Sequence, residues 1–180
     1  PSICHYSFKW KLFSCFAMDF SILLVALQNP KIYPEKPQSV EVLQTHASAL
    51  FLVGKHVYKI KKPVNFGFLD FISLEKRKYY CHEEVVLNRR LCPQVYLGVV
   101  DIRLQDGRIK LGEGSGGIVE YAVLMERLPQ DAMMDRWLAK GKVTPEVLQK
   151  IADKVAQFHD RAMTNPEIAS FGKTEVIRTN

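Results

Sequence analysis

The chain has 180 residues, 47% hydrophobic and 24% charged, which is enough apolar surface for a sizeable core; this excludes a disordered chain and favours one domain, or a lobe with an appendage. The formal charge of +6 favours acidic or phosphorylated ligands only weakly, and two of the positive residues, Lys9 and Lys11, lie in an unusual N-terminal tract. Cys4, Cys15, Cys81 and Cys92 form no Cys-x-x-Cys pair and no zinc spacing with the five histidines, which predicts free thiols in a reducing, cytoplasmic setting and no metal on them.

Residues 1–17 are rich in aromatics and cysteine without a clear period, whereas Met18-Asp19 reads like an ordinary beginning, so the tract is expected to be an upstream extension. A signal peptide is the alternative, with Lys9 and Lys11 as its basic region and Phe20 to Leu27 as its apolar stretch. Against it, Asp19 interrupts the apolar run and no small-x-small site follows Leu27. No run approaches the length of a membrane span, and no membrane partner is expected. Ser21 to Leu27 predicts a short helix that stops at Asn29-Pro30, and Pro34-Glu35-Lys36-Pro37 an extended connector, so residues 18–37 precede the main domain.

Val40 to Thr45 alternates weakly as a first strand. Ala49 to Val53, a tight turn at Gly54-Lys55-His56, and Val57 to Lys62 predict a hairpin closed by Pro63, which cannot donate to a ladder. An aromatic loop, Val64 to Phe71, follows. From Ser73, an N-cap, the pattern turns helical, with Tyr80, Glu84, Leu87 and Leu91 on one face and an end at Cys92-Pro93. Val95 to Leu104, the turn Gln105-Asp106-Gly107-Arg108 and the return to Leu111 predict a second hairpin; Gly112 to Gly117 reads as a flexible loop, and Val119 to Pro129 contains the most apolar strand. Asp131 onwards is helical, and Thr144-Pro145 opens a helix whose buried side is Val147, Leu148, Ile151, Val155 and Phe158. The tail from Asn165-Pro166 is weakly patterned.

The anomaly in this layout is Val57-Tyr58-Lys59-Ile60-Lys61-Lys62, which places lysines in what otherwise reads as an interior strand. Alternation puts Val57, Lys59 and Lys61 on one face. A lysine-rich edge strand that resists aggregation is one explanation; a lysine held for a ligand is the other.

The order of elements resembles the N-terminal lobe of a protein kinase: a hairpin with a lysine, a helix with an inward glutamate, two strands, then an apolar strand running through Met125-Glu126 into helices. The hairpin Ala49 to Pro63 and the run Tyr121-Ala-Val-Leu-Met-Glu-Arg-Leu-Pro129 resemble the aminoglycoside phosphotransferase family, kinase-fold enzymes that phosphorylate small molecules. Tyr58-Lys-Ile-Lys-Lys-Pro63, Gly67-Phe-Leu-Asp-Phe71, Leu87-Asn-Arg-Arg-Leu91 and Tyr96-Leu-Gly-Val-Val100 are similar to a bacterial, aminoglycoside phosphotransferase-like branch in which the lobe is sometimes fused to a P-loop ATP-binding domain. The resemblance runs from Pro37 to about Asn180. It implies an α+β fold: a kinase-like N-lobe over 38–129 with a mostly antiparallel five-stranded sheet and one packed helix, then helices over 130–180 that begin a truncated C-lobe.

For the site, the resemblance implies that Lys59 grips nucleotide phosphates, with Lys61 as the fallback, and that Glu84 holds the lysine, with Glu83 as the rival; Val57 lines the adenine pocket. Met125 guards its back, and the backbone of Glu126 and Leu128 meets the purine edge. The alternative for Glu84 is a surface helix salt bridge, and for Met125 to Leu128 a plain buried strand. The cofactor implied is ATP or GTP with Mg²⁺, whose ligands are expected past the end of this chain, and the acceptor is a small-molecule hydroxyl.

Two motifs are declined. Gly112-Glu113-Gly114-Ser115-Gly116-Gly117 fits Gly-x-Gly-x-x-Gly, yet it follows the lysine strand and opens a strand, not a helix. Where a phosphate loop belongs, Thr45-His46-Ala47-Ser48 carries no glycine, and backbone amides with Ser48 would have to serve. Asp160 and Asn165 have catalytic-loop spacing, but His159 adjoins Asp160 and the segment continues a helix in register with Phe158, so neither is assigned as catalytic. Two other readings stand beside the phosphotransferase: a non-catalytic, pseudokinase-like ATP-binding module, and a basic nucleic-acid-binding domain using Lys55, Lys59, Lys61, Lys62 and Arg89-Arg90, which lacks a recognisable motif, so no nucleic acid is expected.

Overall fold

Period-two alternation and two-residue turns organise the first two thirds of the chain into strands. The computed structural model describes residues 18–179 and contains β1 (Glu41–Gln44), β2 (Ser48–Val53), β3 (His56–Lys61), β4 (Tyr96–Gln105), β5 (Arg108–Leu111) and β6 (Gly117–Glu126). They form one antiparallel sheet in the order β1-β2-β3-β6-β4-β5. This corrects the expected five strands. Asp106 and Gly107 both take positive φ, the geometry that lets a two-residue turn follow strand twist, so β5 folds back and extends the sheet beyond β4. The expected upstream extension, with Cys4 and Cys15, lies outside the described residues; Cys81 is a buried free thiol and Cys92 an exposed one.

Each face of the sheet has its own cover. On one face Ala49, Phe51, Val53, Tyr58, Ile60, Ile102, Ile109 and Ala122 pack with Leu23, Leu27 and Tyr33 from the N-terminal segment. That segment is α1 (Phe20–Ala26), capped by Asp19 Oδ1 accepting from the Ser21 amide at 2.7 Å, and a 3₁₀ turn at Pro30–Ile32. Burying Leu23, Leu27 and Tyr33 is worth about 2 kcal/mol each, so the segment expected to precede the domain is part of its core. The connector is fastened too: Glu35 Oε1 accepts from the Tyr58 hydroxyl at 2.9 Å and lies 2.5 Å from His56 Nδ1.

The other face carries α2 (Leu74–Arg89), whose N-cap Ser73 accepts from the Lys76 amide at 3.2 Å. Cys81 and Val85 pack there on Tyr121 and Val123. The buried stripe is Arg77, Cys81 and Val85, spaced i, i+4, i+8, whereas Tyr80 and Leu87, expected on the inner face, are 40% and 51% exposed. An ion pair turns the helix. Arg77 Nε donates to Glu120 Oε2 at 2.8 Å, and its Nη1 donates to the Phe71 and Ile72 carbonyls at 2.9 and 2.7 Å. Glu120, 1% exposed, sits in the apolar strand β6; burial pushes its carboxyl up from the ordinary range despite Arg77.

The Gly112–Gly117 loop is held by Arg103, which donates to the Gly112 and Gly116 carbonyls, both at 3.2 Å, so it is more fastened than its composition predicts. Gly116 is required there, because a Cβ would lie 2.5 Å from the Leu104 carbonyl oxygen. Past β6 come α3 (Met134–Ala139), α4 (Pro145–Arg161), α5 (Pro166–Phe171) and α6 (Thr174–Thr179), the last two in the tail read as weakly patterned. In α4 the expected buried side is not buried: Leu148, Ile151 and Val155 are 52%, 45% and 42% exposed. The apolar stripe says which face seeks cover, and among the described residues it is half-buried only at its ends, Val147 and Phe158, the latter under Arg90.

The Arg77–Glu120 pair yields a stability prediction. Arg77→Ala strands a buried carboxylate and should cost about 3–5 kcal/mol in chemical denaturation, whereas Arg77→Met with Glu120→Leu should recover most of the loss. Lys76→Ala, at an exposed pair with Asp70, should change little.

Candidate functional site

Antiparallel register builds the site. Ser48 opposes Lys61, Leu50 opposes Lys59, and Leu52 opposes Val57 across β2 and β3; Lys59 opposes Val123 and Val57 opposes Met125 across β3 and β6. Directly opposite residues share a face, so Leu50, Leu52, Val57 and Met125 form an apolar patch beside two lysines, on the side of the sheet that carries α2.

Glu84 reaches both lysines. Lys59 Nζ donates to Glu84 Oε1 at 2.8 Å, and Lys61 Nζ donates to Glu84 Oε2 at 2.7 Å. The sequence left Lys59 and Lys61 as rivals; the structure joins them on one carboxylate. They differ in depth: the Lys59 side chain is 26% exposed and that of Lys61 only 6%. Lys61 also lies over the Phe71 ring, Nζ 4.9 Å from its centroid, so it is fixed between an anion and a π face. Lys59 is the one that opens to solvent. Burial works against the Glu84 carboxylate, but the bonds to both lysines outweigh it and hold its pKa below the ordinary range.

At the opposite end, Glu126 donates its amide to the Val95 carbonyl at 2.8 Å, and Arg127 donates its amide to the Lys55 carbonyl at 2.7 Å. Leu128 is 55% exposed, and its amide has no partner among the described residues. The turn Thr45–Ser48 is closed on itself. Ser48 donates its amide to Thr45 Oγ1 at 3.0 Å and is 6% exposed, which leaves the tip at His46 and Ala47 as the open part. Asp160 lies within α4, and Asn165 caps α5 by accepting from the Ile168 amide at 2.7 Å. Among the described residues no cluster of three or more His, Cys, Asp or Glu could hold a metal ion, and no helix is long and apolar enough to cross a membrane. Sequence reasoning missed Phe71, which underlies Lys61, and the Arg77–Glu120 pair; the one signal for the pair was a charge inside each buried period, at Arg77 in α2 and Glu120 in β6.

Known proteins add a partial comparison. Over 138 residues the chain is 33% identical to uncharacterized proteins of Mycobacterium tuberculosis (Rv2004c of strain H37Rv and MT2060 of strain CDC 1551) and of Mycobacterium bovis (Mb2027c). The match covers 77% of this chain and 26% of each relative, so the chain spans about a quarter of the length of these curated relatives. No family profile and no solved structure matches it.

Glu84→Gln keeps the shape but leaves two ammonium groups facing each other, and should destabilise the fold by about 3 kcal/mol near neutral pH. Because the Glu84 pKa is lowered in the folded state, its stabilisation is present above the unfolded carboxylate pKa of about 4.3 and is lost as pH falls through the folded value. Denaturation curves of wild type and Glu84→Gln should therefore converge as pH is lowered from neutral through the folded value of Glu84; a gap independent of pH would assign the loss to packing.

Proposed function

We propose that this chain is the nucleotide-holding part of an ATP- or GTP-dependent phosphotransferase of the aminoglycoside phosphotransferase-like kind, whose acceptor is a small-molecule hydroxyl. The observation that carries the reading is the Lys59–Glu84 pair beside an apolar patch. Phosphoryl transfer needs positioning and charge neutralisation more than covalent help, and in protein kinases a strand lysine is held against the nucleotide phosphates by a glutamate of the following helix. The order β1-β2-β3-β6-β4, with α2 leaving β3 and lying under the sheet, supports reading residues 38–129 as a kinase-like N-lobe and the helices after Pro129 as the beginning of a second lobe.

In this reading the purine lies against Leu50, Leu52, Val57 and Met125. The free amide of Leu128 meets its edge, and Lys59 contacts the phosphates while Lys61 stays buried as the second counter-charge of Glu84. Mg²⁺ would neutralise the phosphates further. In the whole protein the γ-phosphoryl group passes to the acceptor oxygen, the hydroxyl proton goes to a base, and the nucleoside diphosphate leaves.

A second reading is a non-catalytic nucleotide-binding module; it shares the same lysine site, and Asp160 inside α4 and Asn165 as a helix cap fit both readings. The two differ in whether the full-length protein consumes ATP in the presence of an acceptor. A nucleic-acid surface is disfavoured because Lys61 is buried against Glu84 and Arg89 is bound to the carbonyls of Tyr96 and Leu97, which leaves no continuous basic face of the residues proposed for it.

The test is binding of a fluorescent ATP analogue with Mg²⁺ to wild type, Lys59→Met and Lys61→Met. Lys59→Met should weaken binding at least about tenfold while keeping the fold, and Lys61→Met should act mainly on stability. Equal affinity of wild type and Lys59→Met would sink the assignment of Lys59, and no binding by wild type would sink the reading as a whole.

A further inference from the structure

Outside the lysine site, three described cations come together where α4 meets the end of α2. A cleft of about 300 Å³ is lined by Arg90, Leu91, Lys154, Gln157, Phe158 and Arg161. Lys154, Gln157, Phe158 and Arg161 stand at i, i+3, i+4 and i+7 of α4, hence on one face of it. Arg90, the C-cap of α2, lays its guanidinium on the Phe158 ring, Cζ 4.6 Å from the centroid.

Three like charges thus share a cleft that no carboxylate lines, and none of the three has an ion pair among the described residues. Favourable placement at helix C-termini accounts for Arg90 and Arg161. It does not account for Lys154, in the middle of α4. The Arg90 guanidinium sits over the Phe158 ring and makes no hydrogen bond among the described residues, so its N–H donors can serve bidentate capture of an oxyanion. The Lys154 ammonium and the Gln157 amide supply further donors at the same cleft.

We propose that this cleft binds a small phosphate-type oxyanion, supplied either as inorganic pyrophosphate or as the phosphate group of a small organic molecule, and that the anion braces α4 against α2. The proposal is independent of the nucleotide reading, since it uses neither lysine of β3.

The experiment is calorimetric titration of the protein with inorganic pyrophosphate and, separately, with a hexose phosphate. Wild type and Lys59→Met are compared with Lys154→Glu/Arg161→Glu and with a control reversal of two other exposed lysines, Lys140→Glu/Lys142→Glu. All four substituted positions are exposed, and circular dichroism checks that each variant is folded. Binding of either probe should persist in Lys59→Met and in the control, and should weaken at least about tenfold in Lys154→Glu/Arg161→Glu. The probe that binds tells which source the site prefers. Absence of binding by wild type at millimolar concentration of both probes, unchanged affinity in Lys154→Glu/Arg161→Glu, or an equal loss in the control would each overturn the proposal.

Discussion

A single carboxylate, Glu84, makes the charged face of this sheet tenable. Lys59 and Lys61 project from the same side of β3, two residues apart, and without a counter-charge their partial burial would be costly. Glu84 gives one oxygen to each and so couples α2 to β3 by two charge-assisted hydrogen bonds. Helix position, lysine orientation and the floor of the apolar patch follow from that one contact. An isolated surface pair would contribute little, but this one is enclosed by strand, helix and the Phe71 ring.

The second buried pair divides the labour. Arg77 and Glu120 lie deeper, and Arg77 also ties the Phe71 and Ile72 carbonyls. That pins the aromatic loop whose Phe71 underlies Lys61. The two charge systems are therefore linked through a side chain that carries no charge itself. Their titrations run in opposite directions: Glu84 is held ionised by its lysines, while burial favours the protonated form of Glu120. Acid therefore withdraws the stabilisation from Glu84 while relieving the burial of Glu120.

Much of the sheet was legible because its signals are local. Asp106-Gly107 specifies a tight hairpin, Ser73 a helix start, and alternation along β3 puts Val57, Lys59 and Lys61 together. What was not legible depends on partners distant in sequence. The inward face of α2 was misplaced because apolarity pointed to Tyr80 and Leu87, whereas the helix is rotated by Arg77 finding Glu120, 43 residues on. The N-terminal segment read as a preface because nothing local shows that Tyr33 will meet Tyr58, ring centroids 5.0 Å apart. The stripe on α4 is periodic but covered only in part, at Val147 and Phe158 and not at Leu148, Ile151 and Val155, since amphipathicity states a demand and not its satisfaction. At the site, sequence offered Lys59 or Lys61; that one glutamate could satisfy both required three-dimensional register.

The depth difference between the lysines then bears on function. Two ammonium groups on one carboxylate leave a net positive charge, and among the described residues no second acid bonds to either lysine. Lys61 can tolerate this arrangement because the Phe71 π face offers it additional negative potential. Lys59 has no such support and keeps an open side. A charge that is oriented, partly desolvated and only half neutralised attracts an incoming anion more strongly than a freely hydrated lysine would. In the proposed reading that anion is the phosphate chain of a nucleotide whose base rests on Val57 and Met125, which would make Lys61 the residue that keeps Lys59 incompletely satisfied.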